Sequence, residues 1–217
     1  MSRNFDLDTT AAKDSNSGGK RITEPGLYTG KFRAAFYEKN ERGTESVNLI
    51  FVSDSSQEVG PLSLYTHNGK GEPLPSYKTL NAIMACMRLR KLESKQGNVT
   101  LYDFDQQADV VKSKEIYPAL IGPRIGLVLQ GEEYENNRGE IKTRMIIGAP
   151  FDAESRRMAD EVLGQSEVAK ALDRYLEWFE RNKIKPLRSG TPATARVQKA
   201  AQGQPANNDF VDDDIPF

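Results

Sequence analysis

The sequence predicts a mainly β protein: a five-stranded Greek-key barrel with one helix between its third and fourth strands and a further helix after the barrel. Three observations point to it. Residues 27–66 hold three runs in which apolar and polar side chains alternate, the period of a half-buried strand. Pro73 and Pro75 then end the alternation, and apolar residues begin to recur at helical spacing. Two more alternating runs follow, joined by Tyr134-Glu135-Asn136-Asn137-Arg138-Gly139, a polar turn sequence.

Residues 1–23 are rich in Ser, Asn, Asp, Thr and Gly and read as a disordered arm. The barrel domain spans 24–153. Its first strand, Leu27–Tyr37, sets Tyr28, Gly30, Phe32, Ala34 and Phe36 on one face and Leu27, Lys31, Arg33, Ala35 and Tyr37 on the other. A barrel strand has a single inner face, so the face bearing Lys31 and Arg33 is assigned outside. A polar turn at 38–43 leads to a second strand, Glu45–Ser53, and a short turn at 54–56 to a third, Glu58–Thr66. Ser76 reads as the N-cap of a helix reaching about Leu92, with Leu80, Ile83, Met84 and Met87 on its apolar side. Residues 98–111 read as an irregular or short-stranded insertion. The last strands are Pro123–Glu133 and Glu140–Ala149. Three strands, a helix and two strands is the order of the OB-fold, a barrel that often binds single strands of nucleic acid.

Residues 154–182 form a helical extension: a weaker helix at Glu154–Leu163, then one from Ser166 to about Asn182. Its stripe of Val168, Leu172, Leu176 and Phe179, with Tyr175 beside it, either lies on the barrel or closes a homodimer. Pro, Gly, Ala and Gln make 183–206 a flexible linker, and 207–217 is an acidic tail.

Composition narrows the function. The chain has 217 residues, 37% of them hydrophobic, enough for one well-buried domain plus extensions. No apolar run reaches the ~18 residues of a membrane span, and the polar N-terminus does not read as a secretory signal. A single cysteine, Cys86, fits a reducing cytoplasm, the expected location. With one histidine, His67, beside it, a structural zinc site is not expected, and neither is any other cofactor. A Ser-His-Asp triad would have His67 as its only base, and neither a phosphate-binding Gly-rich loop nor a nucleophile-elbow motif is present. The reading is therefore not an enzyme.

The net charge of −1 hides an uneven distribution. Residues 183–206 carry five bases and no acid, whereas the last 11 carry four aspartates and no base. The barrel domain is balanced, so affinity for nucleic acid has to come from clustered cations and stacking rings. The candidates for single-stranded DNA are Lys31, Arg33 and Tyr37 on the first strand, Lys39 and Arg42 in the turn after it, and Tyr65 and Lys70 at the end of the third strand. Arg138, Lys142 and Arg144, around the last hairpin, complete the set. The segment from Tyr65 through His67 to Gly71 has the Gly-rich polar character of a loop that hugs a backbone.

The chain ends Asp212-Asp213-Asp214-Ile215-Pro216-Phe217. A terminal Phe ring suits a small apolar pocket, its own carboxylate suits an Arg or Lys at the rim, and the aspartates steer toward a basic surface. These six residues, with Asn208-Asp209-Phe210-Val211 before them, closely resemble the tip of bacterial single-stranded DNA-binding proteins (SSBs), which also have a linker before the tip. The resemblance implies a docking peptide for replication, recombination and repair proteins, made by Asp212, Asp213, Asp214, Ile215, Pro216 and Phe217. The barrel sequence does not carry that family's N-terminal strand motifs, which points to a phage-encoded analogue acting in the host cytoplasm. Two rival readings stand beside it. One is an adaptor that recruits partners through the tip without touching nucleic acid. The other is a metal-dependent nuclease using Asp103, Asp105 and Asp109 with Glu132 and Glu133.

Overall fold

A long first strand organises the sheet. β1 (Gly26–Lys39) pairs along one edge with β2 (Glu45–Ser53), which pairs with β3 (Glu58–His67), so the three form the expected antiparallel meander. On its other edge the first half of β1 pairs with β6 (Arg124–Glu135), from Gly26↔Leu129 to Lys31↔Arg124. The computed structural model describes residues 21–187, apart from 104, 105 and 137. Between β3 and β6 lie α1 (Ser76–Cys86), the hairpin of β4 (Lys95–Asp103) and β5 (Ala108–Ile116), and a 3-10 turn at Pro118–Leu120. After β6 come β7 (Ile141–Phe151), α2 (Ala159–Leu163), α3 (Ala171–Arg181) and β8 (Ile184–Lys185).

The chain is mainly β, as expected, but the sheet is open. Among the described residues it counts eight strands, antiparallel except where β8 runs parallel to β6, and no ladder joins β3 to β7. α1 instead packs against both of those strands.

A bulge between Phe32 and Ala34 overrides the simple alternation read for β1. Before it, Phe32 faces the main core with Phe51, its ladder partner, Leu49 and Ile83. After it, Ala35 is the residue facing that core, while Ala34 and Phe36 turn to the outer side and form a separate cluster with Ile50 and Val99. Tyr37, paired with the core residue Val47, follows Ala35. The expected single face of Lys31, Arg33 and Tyr37 is therefore divided, because one extra residue reverses every side chain beyond it.

The insertion read as irregular or short-stranded is a hairpin of two nine-residue strands, longer on both sides than the expected 98–111. It covers the outer cluster with Val99, Leu101 and Ile116, and a backbone bridge joins Ile116 to Phe36. Arg33 ties it down further: its guanidinium makes two 2.9 Å bonds to the Glu58 carboxylate and donates to the Thr100 carbonyl at 3.1 Å.

Helix boundaries also differ, for local reasons. Ser76 is the first helical residue of α1 and does not cap it; the cap position is Pro75. The helix stops at Cys86 and not near Leu92, because Arg88 takes a left-handed φ of 57° and donates to the buried Asp152 carboxylate at 2.9 Å. α3 starts at Ala171 and not at Ser166, because its cap is supplied from α2. Glu161 accepts the backbone N–H groups of Lys170 (2.7 Å) and Ala171 (2.8 Å), and also that of Met158 (3.1 Å), which starts α2. Burial pushes the Glu161 carboxyl pKa up, and these N–H donors outweigh it, so the net shift is downward.

The apolar stripe on α3 packs on the sheet. Leu172 and Phe179, with Tyr175, Leu176 and Trp178, cover Val128, Ala149 and Phe151 of β6 and β7, while Val168 lies outside this cluster and is exposed. At the ends of the domain, Ile22 is buried in the main core and Ile184–Lys185 extends the sheet beside β6. The described residues thus begin at Arg21, three residues before the expected start of the domain, and run to Leu187, within the expected linker. Burial holds the Cys86 thiol pKa at about 12, so it stays a protonated, unreactive thiol.

Candidate nucleic-acid interface

Three turns of this sheet are built alike, and each holds out a cation. In the β1–β2 turn, Asn40 Oδ1 accepts the backbone N–H of Arg42 (3.0 Å) and of Thr44 (2.9 Å). In the turn after β3, Asn68 Oδ1 accepts those of Lys70 (2.9 Å) and Glu72 (3.0 Å). In the β6–β7 turn, Asn136 Oδ1 accepts those of Arg138 (2.9 Å) and Glu140 (2.9 Å). Each turn then needs a left-handed residue, and glycine fills it: Gly43 (φ 79°), Gly71 (φ 82°) and Gly139 (φ 77°). The common pattern is Asn, any residue, Arg or Lys, Gly. Because the backbone makes the turn's bonds, the side chains of Arg42, Lys70 and Arg138 are left exposed, and none makes an ion pair among the described residues.

Two of these turns touch. A Cβ on Gly69 would lie 2.3 Å from the Arg42 carbonyl oxygen, so only glycine allows that approach. Arg42 and Lys70 therefore share one end of the sheet. The register puts the Arg138 turn beyond the opposite end of β1, since β6 runs past Gly26 from Leu129 to Glu135.

Between the paired turns and the β4–β5 hairpin lies a cleft of about 520 Å³ on the outer face of the sheet. Tyr65 borders it and is 46% exposed. Tyr37 and Lys39 also border it, with Lys114 facing them from β5. His67 and Tyr77 add two further rings near the turn, with centroids 5.2 Å apart. Burial, then the charge and hydrogen bond of Glu45 and the charge of Glu115, raise the Tyr37 pKa, so its hydroxyl stays neutral at physiological pH.

The sequence candidates thus fall into groups. Tyr37, Lys39 and Tyr65 border one cleft, and Arg42 and Lys70 stand on the paired turns at the same end of the sheet. Lys31 is exposed on the outer face and makes no ion pair among the described residues. Arg33 is committed to Glu58 and the hairpin. Lys142 pairs with Glu140 (3.2 Å), and Arg144 pairs with Glu132 and lies 5.6 Å from the centre of the Tyr134 ring. Sequence reasoning missed Lys114, Glu38, Ser46, Asn48 and Ser63, which line the same cleft. The signal for Ser46 and Asn48 is their alternation with Val47 and Leu49 on β2, and for Ser63 its place between Leu62 and Leu64 on β3.

The carboxylates considered for a metal are dispersed. Asp103 and Asp109 lie on the β4–β5 hairpin, Glu132 and Glu133 on β6, and Asp105 falls outside the described residues. Among the described residues no three His, Cys, Asp or Glu side chains gather as a metal site would require, and no helix is long and apolar enough to cross a membrane. Asp212, Asp213, Asp214, Ile215, Pro216 and Phe217 also lie outside the described residues. Compared with known proteins, the chain matches no family model, and no curated protein matches it.

Proposed function

We propose that this protein binds single-stranded DNA across the outer face of its sheet and recruits replication, recombination or repair proteins through its acidic tip. The observation that carries the reading is the juxtaposition of exposed Tyr65 with Lys39 and Lys114 around one cleft, at the end of the sheet where the paired turns hold out Arg42 and Lys70. Unpaired bases offer faces to rings and phosphates to cations; a duplex hides the first. The fold supports it. The path β3-β2-β1-β6-β7, with α1 between β3 and β6 in sequence, is what an OB-type barrel would give if left open at the β3–β7 seam, with α1 filling the gap. The tip resembles that of the SSBs, and the unusual barrel sequence favours a phage-encoded member working in the host cytoplasm.

The test is fluorescence anisotropy of labelled oligo-dT and of the matching duplex, titrated with the full chain at low and moderate salt. The expected result is binding of the single strand well in excess of the duplex, weakening as salt rises. Binding of neither, also after removal of residues 207–217, would leave the adaptor reading in its place.

A further inference from the structure

The floor of the cleft is chemically one-sided. Glu38, at the end of β1, receives Lys114 Nζ at 2.8 Å on one carboxylate oxygen and Asn48 Nδ2 at 3.1 Å on the other. An ionised carboxylate only accepts, so this contact fixes which end of the Asn48 amide is nitrogen. The amide oxygen then points at Ser63, whose hydroxyl must donate to it, at 2.6 Å. Asn48 Nδ2 also reaches Ser46 Oγ at 3.2 Å, which accepts there and sends its own proton to the Glu38 carbonyl oxygen at 3.4 Å. Both hydroxyl protons and both amide protons are thus spent within the floor. What remains facing the cleft is acceptor capacity: lone pairs on the Glu38 carboxylate, which is 45% exposed, and on the two serine oxygens.

A carboxylate is a poor neighbour for phosphate. It suits the edge of a base that presents an amino group, as Glu does with the amine of cytosine. Resting on the single-strand reading above, we propose that this cleft is a base subsite that selects bases with an exocyclic amino group, with Glu38 as the specificity-determining acceptor. A base stacked on Tyr65 would turn its edge to Glu38 and Ser63, while Lys39 and Lys114, which also pair with Glu45 (3.4 Å) and Glu38 (2.8 Å), would turn their remaining N–H donors to the phosphates. Cytosine offers its 4-amino group to this floor. Uracil offers one N–H, flanked by two carbonyl oxygens that would face the same acceptors, and thymine has the same edge.

The experiment compares oligo-dC with oligo-dU of equal length, two pyrimidines that differ only along this edge. Anisotropy titrations use the full chain at neutral pH, in the native form and as Glu38→Gln, which adds a donor and removes the charge. The expected result is a preference of about tenfold for oligo-dC in the native chain, the size of one good base contact, reduced to near parity by Glu38→Gln. Ser63→Ala, on the exposed row of β3, removes one acceptor and is expected to narrow the preference in the same direction, which keeps the test open if Glu38→Gln disturbs folding. Equal and measurable affinity for the two oligomers would overturn the subsite and leave strand binding standing. A cytosine preference unchanged in both variants would overturn the role of Glu38 and the floor. Binding of neither oligomer would remove the strand-binding reading and this inference with it.

Discussion

Replacing Arg42, Lys70 and Arg138 together by alanine is expected to weaken single-strand binding about a hundredfold near 0.1 M salt. Each phosphate neutralised on a single strand contributes about −0.7 to the slope of log affinity against log salt, and so roughly a fivefold gain in affinity at that concentration. Three such contacts multiply to about two decades. The salt slope should accordingly become shallower by about 2. Stability should barely change, because these side chains are exposed and their turns are held by backbone N–H groups donating to Asn40, Asn68 and Asn136. Anisotropy over a salt series, with thermal unfolding as the control, measures both quantities. An unchanged slope with intact folding would show that the turn cations do not touch phosphate.

Gly30→Ala is expected to be among the most damaging single substitutions in the sheet. Alanine in place of glycine usually stabilises a chain slightly, by restricting its unfolded state. Here an added Cβ would sit 2.1 Å from the Val52 carbonyl oxygen and 2.7 Å from the Ser53 Cα, both backbone atoms of the paired strand. No side-chain rotation relieves that. β1 would have to part from β2, where the sheet is also joined to β6 on the other edge. A loss of about 3 kcal/mol is expected, the upper end of overpacking costs, which lowers Tm by roughly 6–12 °C for a domain of this size. Trp178, the only tryptophan, sits in the α3 contact with the sheet and gives a fluorescence reporter of the transition. A Tm within a degree or two of native would contradict the close β1–β2 approach.

The meander was legible because Val47, Leu49 and Phe51 recur at every second place of β2 and are buried in the core as expected, while Lys31 and Arg33 on β1 are exposed. The reversal after the bulge was not, since Ala34-Ala35-Phe36 reads equally well in either phase and small apolar residues give alternation no purchase. The β4–β5 hairpin was faint for a related reason. It packs on the outside of a sheet and buries little, Val99 alone being fully buried, so its strands carry polar residues at most other places. Helix ends eluded local rules because their determinants are distant or unusual: Asp152 draws Arg88 aside, and Glu161 caps α3 from the preceding helix. At the candidate site the cations and tyrosines were visible as residue types. Their convergence was not, because it depends on Gly69 meeting the Arg42 backbone across two turns. The shared Asn-x-Arg/Lys-Gly pattern stands in the sequence at 40–43, 68–71 and 136–139, and its common geometry shows only when the three turns are compared.

The most direct test of the central claim is photocross-linking of an iododeoxyuridine-containing single strand to the full chain, with the modified residues located by mass spectrometry. Aromatic side chains in contact with a stacked base are the groups such a probe captures. Cross-links at Tyr65, the exposed ring at the cleft, are the predicted result. Cross-links confined to residues outside the cleft, for example to the exposed surface of α3, would contradict the account.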